Sequence, residues 1–356
     1  MLLRNPGMEP RVNSSHHFAF ITSPLEQEHV DRLRALDPAR LTILHEPDLY
    51  PATRYTADHK GVDFTRDADQ TRRWREAIAR ADILFDLPSP DDLAIAKNLR
   101  WVQTSSTGVG QAVAKLGLDK TDILITTARG VHAGPLAEFV IMSLMAHFRG
   151  LATLQEEQRA HRWIRTCGEE IAGRTIVTIG AGDLARGTAK IAKALGMHTI
   201  AVARDAGKPR SHDLFDEVVP TSELHAALAR ADAVVITVPH TAETTRMIDA
   251  AAFAAMRPGC ALVNIGRGIV VDEDAMIAAL RSGQLGYAAL DVATVEPLAR
   301  ESPLWDMPNV LISPHSASTV SSENRKITDI FVENLRCYLD GRLSDMRNVL
   351  DKKLLY

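Results

Sequence analysis

Residues 175–196 read TIVTIGAGDLARGTAKIAKALG, and this stretch decides the fold. An apolar run of strand length, residues 176–179, leads directly into a turn with glycine at 180 and 182, and apolar residues then recur at helical spacing. A strand, a glycine turn and a helix in this order bring unpaired backbone N–H groups and the positive end of a helix dipole to one point, where a pyrophosphate binds. The order therefore predicts a dinucleotide-binding unit.

Each small residue of the turn has its own reason to be small. Gly180 permits the tight turn, Gly182 lets the backbone approach a phosphate, and Ala185 allows the helix to pack on the strand. We expect Asp183 and Leu184, which open the helix, to lie beside the cofactor. A GxGxxA string on its own also fits a plain connection between strand and helix, so the prediction depends on its context.

The ribose-binding position follows the second strand, residues 199–203. In NAD-binding units an acidic residue about 20 residues after the glycines binds the ribose hydroxyls, whereas an arginine there suits a 2′-phosphate. This position falls on Ala203, and Arg204 follows it. The sequence therefore favours NADP. NAD stays possible, because a loop shifted by two residues would bring the carboxylate of Asp205 to the ribose; a solvated loop charge is the alternative for Arg204.

Length and composition limit the classes of protein. A chain of 356 residues is long enough for two domains with separate cores, and 46% hydrophobic with 24% charged residues is typical of globular proteins. A net charge of −4 without a long run of like charge argues against nucleic acid as a partner. We therefore expect small molecules as partners.

The cysteines and the N-terminus bear on location. Cys167, Cys260 and Cys337 are odd in number and far apart, which indicates neither a disulfide framework nor a metal centre and favours a reducing compartment. The sequence shows no signal peptide and no run long enough to cross a membrane, so we expect a cytoplasmic protein. Residues 1–15, rich in Pro, Asn, Gly and charge, are expected to form a loose tail.

From residue 17 the pattern alternates strand and helix, which predicts an open αβ sheet. Ser23 to Glu26 fit a capping box that opens the first helix. Residues 46–69 are polar with several prolines and predict a long surface excursion, to which the sequence assigns no role. Ser106-Thr107-Gly108-Val109-Gly110 follows the end of a strand, where open parallel sheets bind ligands; a plain glycine turn is the alternative.

Four more predicted strands end in polar or glycine-rich corners, and three corner residues suit one reaction. Reduction of a 2-oxo acid by a dihydronicotinamide needs a proton for the carbonyl oxygen and a group that holds the carboxylate. His315 is a natural proton donor, and Glu296 beside it would favour its protonated imidazolium form. The guanidinium of Arg267 can form two parallel hydrogen bonds with the carboxylate of the acid. Each of these three residues alone fits an ordinary loop position. Because all three follow strands whose ends meet at one edge of the predicted sheet, we interpret them together as a site.

These residues lie in motifs that resemble those of the D-isomer-specific 2-hydroxyacid dehydrogenases. The resemblance runs from about residue 80 to 340 and rests on Val263-Asn264-Ile265-Gly266-Arg267-Gly268, Ala289-Leu290-Asp291-Val292 with Glu296-Pro297-Leu298, Ser313-Pro314-His315, and Gly130-Val131-His132-Ala133-Gly134. It implies His315 as acid/base, Glu296 as its partner, Arg267 as substrate clamp and Asp291 beside the nicotinamide. It also implies substrate contacts from Thr107, Gly108 and Val109.

The resemblance, taken with the alternating pattern, predicts an α/β protein of two open parallel-sheet domains. A Rossmann-type cofactor domain, residues 139–317, is inserted in a flavodoxin-like substrate domain, residues 16–138 and 318–356. Val238, Pro239 and Ile265 end strands beside the glycine loop, so we expect them to contact the cofactor. The resemblance further implies a homodimer built on the cofactor domain.

We expect an oxidoreductase for small 2-oxo acids of the glyoxylate/hydroxypyruvate reductase type. A phosphoglycerate enzyme with a regulatory domain is disfavoured because the sequence stops soon after the last predicted helix, and a formate dehydrogenase because it carries Gln where Glu296 stands. A dinucleotide sensor without turnover is the alternative. Two departures from the family bear on substrate choice: Gly110 occupies a position that is often acidic, and the excursion at residues 46–69 is foreign to it.

Overall fold

The computed structural model describes residues 16–204 and 214–355, which divide into two compact units. Unit 1 contains residues 16–131 and 320–355, and unit 2 contains residues 132–319. The sequence placed the first boundary at 138/139, inside the helix Ala133–Phe148, which lies wholly in unit 2. The tail expected at residues 1–15 lies outside the described residues.

The described strands, in chain order, are β1 (His17–Ile21), β2 (Leu41–Leu44), β3 (Ile83–Phe85), β4 (Trp101–Gln103), β5 (Leu124–Thr126), β6 (Thr175–Ile179), β7 (His198–Ala203), β8 (Glu217–Pro220), β9 (Ala233–Ile236), β10 (Cys260–Asn264), β11 (Leu285–Leu290) and β12 (Val310–Ile312). The described α-helices are α1 (Gln27–Arg34), α2 (Ala68–Arg80), α3 (Pro90–Ile95), α4 (Gly110–Lys115), α5 (Ala133–Phe148), α6 (Leu151–Arg159), α7 (Asp183–Ala194), α8 (Leu224–Leu228), α9 (Ala250–Ala255), α10 (Glu273–Ser282) and α11 (Glu323–Leu339).

Unit 1 is built on a five-stranded parallel sheet in the order β2-β1-β3-β4-β5, which is the flavodoxin order. Its central strands are apolar and buried on both faces, as parallel sheets covered by helices require. Helix α11 returns to this unit and packs its apolar residues against the sheet, with Phe331 against Trp101 and Phe85. The predicted fold class is confirmed for this unit.

The capping box predicted at Ser23 to Glu26 is wrong. Helix α1 begins at Gln27, and Glu26 at the N-cap position makes no side-chain cap. The carboxylate of Glu26 instead accepts hydrogen bonds from the side-chain amide of Asn324 at 2.7 Å and from the backbone of Ala57 at 3.4 Å. A tertiary contact therefore uses the group that the local pattern assigned to the helix end.

The excursion at residues 46–69 is more than a surface loop. Leu49 and Tyr50 are buried and belong to the apolar cluster that contains Trp74 of α2. The segment ends in a true capping box, in which Asp67 accepts from the backbone of Gln70 and Gln70 accepts from the backbone of Asp67. The excursion is thus part of the core of unit 1.

Unit 2 is built on a seven-stranded parallel sheet in the order β12-β11-β10-β9-β6-β7-β8. The strand order reverses between β6 and β9, which is the Rossmann pattern and confirms the predicted class. Sequence reasoning missed the edge strand β8, because only two valines mark it and none of its residues is fully buried.

No described helix alone is long and apolar enough to span a membrane. Helices α5 and α6 pass that length and composition test only as a pair, and they are bent by 62° to each other. The apolar residues Leu136, Val140 and Leu144 of α5 are buried in the core of unit 2.

Candidate active site

The glycine loop at the carboxyl end of β6 has the form that a pyrophosphate needs. Gly180 has φ +109°, a conformation that L side chains rarely adopt, and a Cβ there would meet the hydroxyl of Thr237 at 2.6 Å. Gly182 is the N-cap of the 12-residue helix α7, and no atom lies within 4 Å of the position its Cβ would take. A ligand can thus come close to the backbone at this helix end, where the first N–H groups of a helix have no partner within the helix.

The sheet order of unit 2 lines up the predicted residues along one edge. Because all its strands are parallel, their carboxyl ends lie on the same side. From one end of the sheet to the other, these ends carry His315 after β12, Asp291 and Glu296 after β11, Ile265 and Arg267 after β10, Val238 and Pro239 after β9, Gly180, Gly182, Asp183 and Leu184 after β6, and Arg204 after β7.

The corner that carries Arg267 is shaped by Asn264, the last residue of β10. Its side-chain oxygen accepts from the backbone of Gly266 at 3.0 Å, and its side-chain nitrogen donates to the carbonyl of Arg267 at 3.1 Å. The guanidinium of Arg267 donates to the carbonyl of Gly266 at 2.7 Å. This corner therefore has a defined shape, set by a buried amide.

Gly268 allows the loop after β10, which carries Arg267, to pack against the loop that carries Glu296. A Cβ on Gly268 would overlap the backbone of Ala293, so only glycine allows this approach. The backbone N–H of Ala293 donates to Oε1 of Glu296 at 3.2 Å, and that of Thr294 donates to Oε2 of Glu273 at 3.3 Å. The loop after β11 is thus held from both sides.

His315 and Glu296 form the central pair. Nδ1 of His315 lies 2.7 Å from Oε2 of Glu296, and both side chains are partly exposed. With Nδ1 engaged by the carboxylate, Nε2 is the ring nitrogen left for another partner. The structure thus brings together these two residues that the sequence had selected.

Asp291 holds the turn on which His315 lies. Its Oδ1 atom accepts from the hydroxyl of Ser313 at 2.7 Å and from the backbones of Ser316 and Ala317, each at 2.9 Å. Its backbone carbonyl accepts from the N–H of His315. His315 has φ +54°, an unfavourable value for a residue with a side chain, so these bonds retain a strained conformation. Sequence reasoning placed Asp291 beside the cofactor and did not foresee this contact.

The remaining predicted residues follow the strands β7 and β4. Arg204 is exposed at the end of β7, and Asp205 lies outside the described residues. Thr107, Gly108 and Val109 follow β4 in unit 1, and Val109 is the N-cap of α4.

Asn264, Gly268 and Ser313 are the site residues that sequence reasoning gave no role. Asn264 was detectable as a polar residue at the end of an apolar strand. The need for glycine at 268 depends on the distant Ala293, which no local pattern reveals. Among the described residues no group of three or more His, Cys, Asp or Glu could hold a metal ion.

Comparison with known proteins gives the family. The profile of the D-isomer specific 2-hydroxyacid dehydrogenase NAD binding domain matches residues 141–317. The chain is 34% identical over 288 residues to D-3-phosphoglycerate dehydrogenase of Mycobacterium leprae, covering 76% of this chain and 53% of the relative. It therefore spans about half the length of that relative.

Shorter relatives are covered more fully. The chain is 35% identical over 225 residues to (S)-sulfolactate dehydrogenase of Chromohalobacter salexigens, covering 63% of this chain and 72% of the relative. It is 31% identical over 282 residues to glyoxylate reductase of Aeropyrum pernix, covering 76% of this chain and 82% of the relative.

Solved structures agree in fold. A D-isomer specific 2-hydroxyacid dehydrogenase family protein from Aeromonas salmonicida matches with a TM-score of 0.77 and 29% identity, over 95% of this chain and all of that one. The NADPH-dependent glyoxylate/hydroxypyruvate reductase of Sinorhizobium meliloti, in complex with NADP and sulfate, matches with a TM-score of 0.74 and 26% identity, over 96% of this chain and all of that one. With the glycine loop and the corner residues described above, these similarities show that the chain belongs to the D-isomer specific 2-hydroxyacid dehydrogenase family.

Proposed function

We propose that the chain is an NADPH-dependent reductase of small 2-oxo acids, of the glyoxylate/hydroxypyruvate reductase type. The observation that carries the proposal is the 2.7 Å contact between Nδ1 of His315 and Oε2 of Glu296, at the sheet edge that also holds Arg267 and the glycine loop. A histidine oriented by a carboxylate through one ring nitrogen presents the other for proton transfer.

The residues present fit a dinucleotide. Any Cβ would fill the space beside Gly182, and this residue is the N-cap of α7, whose first N–H groups have no partner within the helix. We assign Gly180, Gly182, Asp183 and Leu184 to the pyrophosphate end of the cofactor. When bound, the reduced dinucleotide supplies the hydride. Val238 and Pro239 follow β9 and Ile265 follows β10, next to the loop in the sheet, and we assign them to the cofactor as well.

The side chains of this edge supply what a hydride alone does not. His315 donates a proton from Nε2 to the carbonyl oxygen of the acid, while Glu296 fixes the ring and balances its charge. The guanidinium of Arg267 binds the carboxylate of the acid and polarises its carbonyl. Asp291 keeps the turn of His315 in place and, we propose, lies beside the nicotinamide.

Arg204 supports NADP as the preferred dinucleotide. It is exposed at the end of β7, where the ribose-binding residue of the fold is expected. A guanidinium there forms charge-assisted hydrogen bonds with a 2′-phosphate. The reductase of Sinorhizobium meliloti, similar over nearly the whole chain, is bound to NADP in its structure.

We assign substrate contacts in unit 1 to Thr107, Gly108 and Val109, because they follow the carboxyl end of β4. Backbone N–H groups of such a loop suit a carboxylate. We propose a small acid because the similar proteins include the glyoxylate reductase of Aeropyrum pernix and the glyoxylate/hydroxypyruvate reductase of Sinorhizobium meliloti.

A second copy of the chain is the partner that we propose. Trp163 is 99% exposed, and Leu151, Leu154 and Ile164 of the same segment are at least 45% exposed. These side chains lie within residues 151–164, and burial of this apolar surface against the same surface of a second copy would remove it from water. The test is analytical sedimentation of the parent and of Trp163→Ser. A dimeric parent and a monomeric variant would support the proposal, whereas a parent that itself sediments as a monomer would contradict it.

We propose that the protein works in a reducing compartment, the cytoplasm. Cys167, Cys260 and Cys337 are all free, as in a cytoplasmic protein.

The proposed function is tested by assaying a panel of 2-oxo acids with NADH and NADPH in parallel. We expect turnover of glyoxylate and hydroxypyruvate, and a higher kcat/KM with NADPH. Tight dinucleotide binding without turnover of any 2-oxo acid would instead identify the sensor alternative.

A further inference from the structure

Residues 347–355, here called the strap, run along the exposed edge of the unit 1 sheet. The carbonyl of Asn348 accepts from the backbone of Thr127 at 3.0 Å, and the N–H of Leu350 donates to Ile125 at 2.9 Å, with an antiparallel bridge between Thr126 and Val349. The strap therefore covers β5, which would otherwise present unpaired backbone groups.

A buried polar network ties the beginning of the strap to β4. Asn334 of α11 accepts from the backbone N–H of Arg347 at 2.7 Å and donates to the carbonyl of Arg347 at 3.1 Å and to Oε1 of Gln103 at 3.3 Å. The hydroxyl of Thr126 donates to the same Gln103 oxygen at 2.8 Å and accepts from the indole of Trp101 at 2.8 Å. All four side chains are completely buried, so each has its partner inside the protein.

Gln103 is also where the β4–α4 loop (residues 104–109) begins. Its side-chain nitrogen donates to the carbonyl of Thr104 at 3.0 Å, and the hydroxyl of Thr104 donates to Ser106 at 2.7 Å. The network that fixes the strap thus also fixes the first half of the loop to which we assign substrate contacts.

The middle of the strap is held by packing and by a lysine. Leu350 is 5% exposed and belongs to the same apolar cluster as Val109, the last residue of the loop, and Val113 of α4. The ammonium of Lys352 donates to the carbonyls of Thr121 at 2.7 Å and Ile123 at 2.6 Å.

The end of the strap explains the glycine at 110. A Cβ there would overlap the backbone carbonyl oxygen of Leu355 and lie 2.8 Å from its Cβ. The position where the family often carries an acidic side chain is thus occupied by a distant part of the chain. Glycine is the residue that this contact permits.

From these contacts we infer that the strap is a positioning element that holds the β4–α4 loop from both of its ends. The role in acid binding rests on the proposed function, because it depends on substrate contacts from Thr107, Gly108 and Val109. Loosening the strap then weakens binding of the acid without touching the dinucleotide or the proton donor.

Leu350→Ala and Leu354→Ala form a matched pair for the test. They remove the same atoms from the same segment, but Leu350 is buried whereas Leu354 is 55% exposed. In Leu350→Ala we expect amide exchange of residues 104–115 to accelerate about tenfold and KM for the acid to rise about fivefold, with kcat and the KM for NADPH within about twofold of the parent. Leu354→Ala should match the parent.

Gly110→Ala serves if Leu350→Ala does not fold, since it displaces only the end of the strap. Gly134→Ala is its control, because nothing lies within 4 Å of a Cβ at that position. We expect the same rise in amide exchange and in KM for the acid in Gly110→Ala alone.

Three outcomes are decisive. Unchanged exchange of residues 104–115 in both Leu350→Ala and Gly110→Ala would overturn the inference, and so would faster exchange with an unchanged KM for the acid. A parent protein without turnover would contradict the proposed function instead, and the exchange comparison would then decide the strap on its own.

Discussion

Nδ1 of His315 and Oε2 of Glu296 lie 2.7 Å apart although the two residues are 19 positions apart in the chain. The neighbouring parallel strands β11 and β12 bring them together, and Asp291 and Ala293 hold the two loops in place. This pair gives the sheet edge its proton donor and the group that orients it.

Glu296→Gln should lower kcat about 10- to 100-fold, because an amide keeps the shape but loses the charge that balances the protonated ring; general acid–base catalysis contributes roughly 10²–10⁴. The KM for NADPH should stay unchanged. Steady-state kinetics on glyoxylate measures both. Glu301→Gln, at an exposed carboxylate in the same loop region, is the control, and equal kcat values in both variants would refute the role of the pair.

Arg204→Ala should raise the KM for NADPH about 10- to 100-fold and leave the KM for NADH within about twofold, because a hydrogen bond to a charged group contributes roughly 1.5–3 kcal/mol. The comparison of the two cofactors is the measurement. The exposed Arg281→Ala should change neither constant. An equal rise in the KM for NADPH and for NADH would show that Arg204 does not bind the 2′-phosphate.

Short-range patterns in the sequence are sufficient to predict most of the strands and helices. The apolar run before Gly180 and the helical spacing after it predict the βα unit, because a parallel strand buried on both faces must be apolar throughout. His315, Arg267 and Glu296 could be selected since strand ends of one parallel sheet meet at one edge.

Contacts between distant residues were not predictable. The sequence assigned Glu26 to a capping box, yet its carboxylate binds Asn324, which lies 298 positions later in the chain. Gly268 and Gly110 are glycines because Ala293 and Leu355 approach them, and neither partner is near in sequence. Such positions depend on the finished packing and leave no periodic pattern.

Gly268→Ala should destabilise unit 2, because the added methyl overlaps the backbone of Ala293, which cannot move aside as a flexible side chain would. Overpacking of this kind costs roughly 1–3 kcal/mol, and Tm should fall by about 3–10 °C in calorimetry. Gly134→Ala, with open space around the new methyl, should keep the Tm of the parent. A normal Tm in Gly268→Ala would mean that the two loops can separate without cost.

His59 in the excursion should make unit 1 less stable at alkaline pH. Burial opposes its charged form, but the ion pair with Glu323 at 3.4 Å and the nearby carboxylates of Asp86 and Glu26 outweigh burial and raise the pKa of His59. A raised pKa gives stability that is complete below the ordinary value of about 6.5 and is lost as pH rises through the folded-state value.

The comparison is between the parent and His59→Gln. From about pH 6 to about pH 9 the parent should lose more free energy of unfolding than the variant, measured by urea titration at each pH. The exposed His225→Gln should follow the parent. Identical pH dependence in the parent and His59→Gln would contradict the pairing with Glu323.

The most direct test of the account is the rate of NADPH oxidation with glyoxylate by the parent and by His315→Ala. We predict a measurable rate in the parent and a loss of roughly 10²- to 10⁴-fold in the variant, with NADPH binding retained. A variant that keeps the parental rate would show that His315 is not the proton donor and would contradict the account.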